Sequence, residues 1–426
     1  MLFRSEPFGL LSIDSTPAEQ LAEAATRSRW LKARATAGRG TAAFRHEPAR
    51  ERQGAGGRLR IGYLSADFYE HASAHCLVEV FELHDRERFE TIGYSCGPDD
   101  RSAVRARLER AFSRFADLRL ASNEEAAARI HADGVDVLVD LKGYTAEART
   151  EIVALRPAPV QASYLGYPAT MGADFIDYLI TDRFVVPPES LAFYSERPAY
   201  LEGCYYPSDR GRPVSEAPAR AALGLPEEGL VFCCFNQPYK ILPRVFETWM
   251  RILAATPGAV LWLLQTNPWA PENLREEARR QGLDPARLVF APACSPSEYL
   301  RRLRAADLFL DTVPCNAHTT ASDALWVGLP VLTCTGETFA SRVAASQLRA
   351  LELPELITGS LAEYEALALR LAAERGLLGG LREKLWGKRT TGRLFDTPAL
   401  VRSLEAAYEQ MWAIYAAGDP PRPIGL

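Results

Sequence analysis

Apolar residues along this chain fall into two alternating patterns. Short, nearly continuous apolar runs occur at Leu59–Leu64, Phe89–Tyr94, Leu118–Leu120, Val135–Asp140, Val160–Leu165 and Tyr178–Thr181, and these predict buried strands. Between them, Cys76–Leu83, residues 103–113 and Glu124–Ala132 space their apolar positions for helices. Strands alternating with helices mean βαβ units and a parallel sheet. The pattern lapses between Tyr205 and Leu225, where Pro-Ser-Asp-Arg-Gly-Arg-Pro reads as a crossing between domains. A second series then begins. Its predicted strands are Leu230–Phe235, Val260–Leu264, Leu288–Phe290, Leu308–Leu310 and Val331–Thr333. Its predicted helices are Pro243–Ala255, Glu272–Gln281, Pro296–Ala305, Thr319–Val327 and Ala340–Leu351, with a long helical region from Ser360 to Ala417.

Upstream of the first strand the chain is rich in Ala and Arg, with one helix over Pro17–Ala35 and linker composition over Arg50–Gly57. No internal repeat is visible. The expected division is a helical segment and linker (1–57), an α/β domain (58–205), a crossing (206–226), a second α/β domain (227–395) and a terminal helix and tail (396–426). Two doubly wound domains in tandem would set the carboxyl ends of both sheets around one cleft, where this class of fold binds ligands.

Composition narrows the function. The 426 residues carry 49 Lys+Arg against 54 Asp+Glu, a net charge of −5, which argues against a broad basic face for nucleic acid. No run reaches the ~18 apolar residues of a membrane span, and the N-terminus has no secretory pattern. None of the eight cysteines forms a CxxC pair, so they read as buried, reduced residues of a cytoplasmic protein. No Cys/His spacing suits zinc. Only five of the 49 basic residues are lysines: Lys32, Lys142, Lys240, Lys384 and Lys388.

The usual phosphate motifs are absent. There is no GxxxxGK[ST], no GxGxxG between strand and helix, and no Asp-x-Asp metal–diphosphate clamp. A bound diphosphate would have to be met by a lysine and backbone amides. The sharpest constellation is Asp311-Thr-Val-Pro-Cys-Asn-Ala-His-Thr-Thr-Ala-Ser-Asp-Ala-Leu-Trp326, where a strand ends, a short loop follows and a helix begins at Thr319 or Thr320. A helix start at a strand's carboxyl end is a ready anion site, with the two threonine hydroxyls beside it and Asp323 one turn in, within reach of a ribose diol. The plainer alternative makes the threonines N-caps and Asp323 a dipole-favoured surface acid.

Lys240 follows a predicted strand and precedes a helix, so its ammonium can neutralise a leaving diphosphate, with Gln237 in the same loop; the alternative is a surface lysine. His71 and His75, at the start of a helix after the first strand, suit proton transfer, or simply bond the loop backbone; as a metal pair they lack a third ligand. The loop Tyr164–Gly172, with Tyr167, Pro168 and Thr170, suits a sugar or peptide platform, or a tight turn around a core tyrosine.

Six segments, in order, resemble one family. They are Arg60–His71, Leu155–Gln161, Leu165–Pro168, Phe235–Lys240, Cys315–Asp323 and Gly336–Gln347. Together they resemble the catalytic region of the O-linked N-acetylglucosamine transferase / SPINDLY family of protein O-glycosyltransferases, in its bacterial form, from about Leu59 to Gly418. The resemblance implies a GT-B fold: two Rossmann-like domains facing a cleft, the first on the acceptor side, the second holding the nucleotide sugar. It implies metal-independent, inverting transfer of N-acetylglucosamine from UDP-GlcNAc to Ser/Thr hydroxyls of proteins or peptides, with no cofactor. Alternatives are fucose transfer from GDP-fucose, as in SPINDLY-type relatives, and a non-catalytic nucleotide-sugar-binding scaffold. By the same resemblance Lys240 holds the leaving diphosphate with Gln237 assisting, and His318, Thr319 and Thr320 line the phosphate site. Asp323 holds the ribose, Arg302 and Tyr299 lie by the base, and His71 and His75 are the catalytic-cleft histidines. The catalytic base stays open between a histidine, a donor phosphate and a relayed water. Family members typically carry an array of ~34-residue helical repeats, and no complete repeat is found in the stretch before the first strand. Pro296 and Tyr299 stand where animal members place a lysine and a histidine.

Overall fold

The computed structural model describes residues 6–37, 44–46 and 57–425, so most of the predicted linker lies outside the described residues. The chain forms two compact units, where five stretches were expected from sequence. One contains Ser15–Arg210 and Asp396–Leu426 together with the residues up to Leu10; the other contains Leu11–Asp14 and Gly211–Phe395.

The first unit is built on a seven-stranded sheet of β1 (Leu59–Ser65), β2 (Phe89–Ser95), β3 (Arg114–Asp117), β4 (Val137–Asp140), β5 (Val160–Tyr164), β6 (Tyr178–Thr181) and β7 (Arg197–Tyr200). Their order is β3-β2-β1-β4-β5-β6-β7, and every pairing is parallel. The second unit has six strands, β8 (Val231–Cys234), β9 (Val260–Gln265), β10 (Leu288–Pro292), β11 (Leu308–Leu310), β12 (Val331–Cys334) and β13 (Ile357–Thr358), also all parallel, in the order β10-β9-β8-β11-β12-β13. All residues of β4, β5, β8, β11 and β12 are buried, as expected of central strands covered on both faces.

Strand order fixes where ligands can enter. In the first unit the chain winds outward from β1 through β2 to β3, then returns to the other side of β1 as β4. The loops leaving β1 and β4 therefore diverge and open a crevice at their carboxyl ends. In the second unit the same reversal falls between β8 and β11. Close packing of these loops needs glycine. A Cβ on Gly97 would come within 1.7 Å of the Ala66 carbonyl oxygen, and one on Gly166 within 2.0 Å of that of Leu141.

One predicted strand moves. Leu118–Leu120 is a turn, and the strand is Arg114–Asp117. Asp117 accepts the Arg119 N–H at 3.0 Å, and this Asx-type bond ends the strand and leaves Leu120 101% exposed. β7 and β13 were not legible as strands: β7 contains a proline and β13 has two residues. The helical C-terminal region is three helices, Leu361–Ala373, Arg375–Lys388 and Thr397–Ala416. Among the described residues no helix is long and apolar enough to cross a membrane. Six cysteines are buried, whereas Cys294 is exposed.

Thr397–Ala416 belongs to the first unit because a buried polar network ties it there. Glu405 accepts from the Asp85 backbone N–H at 2.8 Å and lies 3.0 Å from His84 Nδ1. The His84 Nε2 meets the Tyr63 hydroxyl at 2.8 Å, and that hydroxyl meets Tyr408 at 3.0 Å. Truncating Glu405 takes the carboxylate from the buried His84 imidazole and the part-buried Asp85 N–H at once. Glu405→Ala is expected to lower the unfolding free energy by about 3 kcal/mol, and Glu405→Gln by clearly less, read from denaturant midpoints.

Candidate functional site

The crevice of the second unit is organised by a buried acid. Asp311, at the end of β11, accepts the N–H groups of Thr312 at 2.8 Å and Ala317 at 2.6 Å, the Asn236 amide at 3.2 Å and the Thr333 hydroxyl at 2.7 Å. Burial pushes its pKa up to about 6, against the pull of these bonds and of Lys240. Four segments are thereby drawn to one carboxyl group: the ends of β8, β11 and β12 and the loop to helix Thr319–Trp326. Asn316, in that loop, donates to the Thr312 carbonyl at 2.8 Å, and its backbone N–H reaches Ala340 at 3.0 Å.

Lys240 enters this loop from β8. Its ammonium donates to the Asn316 carbonyl at 2.8 Å. Burial opposes its charge, but Cys315, Tyr239 and Asp311 beside it carry its pKa above the ordinary lysine value. An ammonium has three N–H donors, so with the Asn316 carbonyl and the Cys315 side chain as partners one is left for an anion. His318 is the residue before the helix, and its Nε2 lies 3.1 Å from the Ala340 carbonyl, so Nε2 carries the proton. Burial, and then the charge of Lys240, push its pKa down to about 3, so the imidazole is neutral. Thr319 opens the helix, and Ser322 is the first residue to bond back into it, at 3.1 Å to the His318 carbonyl.

The remaining expected residues divide. The Thr320 hydroxyl donates to Asn236 Oδ1 at 2.5 Å, so it is engaged within the loop framework. Gln237 is exposed beside Lys240. Arg302 donates to the Pro292 carbonyl at 2.9 Å and to Glu298 at 3.3 Å. Tyr299 is tilted against Phe235 with ring centroids 6.0 Å apart, and its buried hydroxyl has no hydrogen-bond partner. Asp323 is not a solvated surface acid: it is paired with Arg212. The structure thus gathers Lys240, His318, Thr319, Thr320 and Asp323 around one helix start. Arg212, Asn236, Asn316 and the organising role of Asp311 were missed. A polar residue just past a buried strand was the available signal for Asp311 and Asn236.

The first unit carries its own cluster at its own crevice. Asp67, after β1, and Lys142, after β4, pair at 2.7 Å with side chains only 6% and 8% exposed. Asp140 closes the loop after β4 by accepting the N–H groups of Lys142 at 2.9 Å and Gly143 at 3.1 Å. His71 caps the helix Ala72–Leu83 by accepting the Ser73 N–H on Nδ1 at 3.2 Å, and that nitrogen lies 3.5 Å from Asp67 Oδ2. Burial holds its pKa below the usual histidine value; Asp67 opposes this and Lys142 adds to it. His75 hydrogen-bonds Glu70. The platform residues turn inward in this structure. Tyr167, Pro168 and Thr170 are all buried, and the Thr170 hydroxyl donates to buried Glu196 at 2.7 Å. Among the described residues no group of three or more His, Cys, Asp or Glu side chains is placed to hold a metal ion.

This geometry has counterparts among known proteins. The chain matches glycosyl transferase family 41 over residues 39–215 and 214–404. It is 39% identical over 379 residues to a probable UDP-N-acetylglucosamine–peptide N-acetylglucosaminyltransferase, SEC, of Arabidopsis thaliana, covering 87% of this chain and 39% of that protein. It is 32% identical over 478 residues to the UDP-N-acetylglucosamine–peptide N-acetylglucosaminyltransferase of Caenorhabditis elegans, covering 86% of this chain and 42% of that one. The chain therefore spans about two fifths of the length of these relatives. A mutant O-GlcNAc transferase of Thermobaculum terrenum superposes with a TM-score of 0.86 at 29% identity, covering 98% of this chain and 79% of that one. Two parallel-sheet units of this kind make the GT-B fold, and with these matches along most of its length the chain belongs to glycosyl transferase family 41.

Proposed function

We propose that this chain transfers N-acetylglucosamine from UDP-GlcNAc to Ser or Thr hydroxyls of proteins or peptides, with inversion and without a metal ion. The observation that carries this reading is the Lys240 ammonium held at the mouth of helix Thr319–Trp326, on the crevice between β8 and β11. When the acceptor oxygen attacks the anomeric carbon, the bond to the diphosphate breaks and negative charge gathers on the leaving phosphate. A fixed ammonium and a helix N-terminus are preorganised for that charge, which is usually the largest catalytic term. Neutral His318 gives the phosphates no second full charge and leaves Lys240 as the single ammonium. Gln237, Thr319 and the backbone N–H of Thr320, whose hydroxyl is held by Asn236, complete the phosphate contacts, Asp323 takes the ribose, and Tyr299 and Arg302 flank the base.

In the first unit, His71 and His75 face the acceptor chemistry. With Nδ1 engaged by the Ser73 amide, His71 offers Nε2–H as a donor. To act as base it must first release that amide. The buried positions of Tyr167, Pro168 and Thr170 favour shaping of the acceptor side from beneath over direct contact.

Incubation with labelled UDP-GlcNAc and GDP-fucose, followed by intact-mass analysis of Ser/Thr peptides, tests the reading. Mass added from UDP-GlcNAc is expected; addition from GDP-fucose alone makes it a fucosyltransferase, and binding without turnover of either makes it a scaffold. Lys240→Ala should cut turnover by about 10²–10³ with the fold retained by circular dichroism. Activity should survive a chelator, and a metal requirement would overturn the charge assignment. His318 gives a pH test. A histidine held near 3 in the folded chain and about 6.5 unfolded binds a proton only on unfolding between those values, so its contribution to stability falls as pH falls through that window. From about pH 7.5 to about pH 5 the parent should lose about 2 kcal/mol more unfolding free energy than His318→Asn. Asp140 and Asp311, both pushed up to about 6, act in the opposite sense but equally in both proteins.

A further inference from the structure

Asp323 does not stand alone. Arg212 Nη1 donates to Asp323 Oδ1, and the two side chains are 7% and 16% exposed. The guanidinium lies 5.1 Å from the centroid of the Trp326 ring, and Trp326 Nε1 donates back to the Arg212 carbonyl at 3.3 Å. Arg212 is thus clamped, side chain and main chain, along one face of helix Thr319–Trp326. It is the second residue of the Gly211–Phe395 part of its unit, within the stretch read from sequence only as a crossing. The buried Tyr299 hydroxyl, without a partner, feels both members of the pair: after burial itself, Asp323 is the strongest influence raising its pKa, and Arg212 lowers it.

The chemistry of this cluster is specific. A partly buried carboxylate next to a planar guanidinium is held in one orientation. A carboxylate has about four acceptor positions, more than a guanidinium fork fills, so a diol can share it. A buried hydroxyl with no partner calls for one, and a nucleoside brings it. A lysine would supply the charge here without the planar, multi-donor fork.

We propose that Arg212 is a positioning residue for the nucleoside half of the donor. It orients the Asp323 carboxylate to accept from a ribose diol, with the Tyr299 hydroxyl as the adjoining contact. This rests on the donor-site reading above. The competing role is purely structural, a staple of the 211–213 segment onto the helix.

Calorimetric titration of the full chain separates the two. UDP and GDP are compared with their 2′,3′-dideoxy forms and with inorganic pyrophosphate, for the parent, Arg212→Met, Arg212→Lys, Asp323→Asn and the Met/Asn double variant. Arg212→Met should weaken the preferred ribonucleotide about tenfold while leaving the dideoxy form and pyrophosphate unchanged, with Arg212→Lys between. The double variant should be no weaker than Asp323→Asn, since both changes remove one interaction. Equal loss for ribo and dideoxy forms, no loss at all, or fully additive losses overturn the proposal. If Arg212→Met does not fold, Arg212→Lys decides alone: loss confined to the diol-bearing nucleotide supports it, and equal loss or none overturns it. A parent that binds ribo and dideoxy forms equally refutes the ribose role while leaving the phosphate reading standing. A parent that binds no nucleotide refutes the donor-site reading, and this inference with it.

Discussion

The carboxyl group of Asp311 is the interaction on which the candidate site depends. It is buried, and it accepts from two backbone amides, an asparagine and a threonine drawn from separate strand ends. Removing such a group from water is costly, and only this number of donors makes it tolerable. In return it sets the path of the loop 312–318, and so the place where the helix begins and the carbonyl that Lys240 finds. The charge at the mouth of the helix is therefore positioned by a residue that need not touch a ligand.

The first unit solves the same problem differently. Its crevice is lined by a paired acid and base, Asp67 and Lys142, almost fully removed from solvent. Such a pair adds little net stability, but removing either member leaves a buried charge, so it rigidifies the loops that carry it. Asp140 does for the loop after β4 part of what Asp311 does for the loop after β11: it ties two amides just beyond its own strand. In both units the polar residue closing a central strand is spent on loop geometry.

Much of this was legible beforehand where burial acts on local pattern. Continuous apolar runs located most of the strands because a central parallel strand is covered on both faces. The misplaced third strand shows the limit. Leu118 and Leu120 look like strand residues, but Asp117 captures the Arg119 amide and turns the chain before them. The histidines show another. Their spacing was plain, but the bond of His71 to Ser73 and of His75 to Glu70 depends on how each loop settles.

Sequence alone determined the two α/β series, the helix that starts after Leu310 and the isolated lysine after the strand that opens the second series, because each follows from hydrophobic period and capping chemistry within a few residues. Only the tertiary structure decided that β8 lies beside β11 and β1 beside β4, since strand order is a property of long-range pairing. That order brings Lys240 to Asn316 across 76 positions, Asp67 to Lys142 across 75 and Arg212 to Asp323 across 111. Such partners share no local signal; they meet because the sheet folds back at its first strand, and the polar groups left at that reversal must find one another or water.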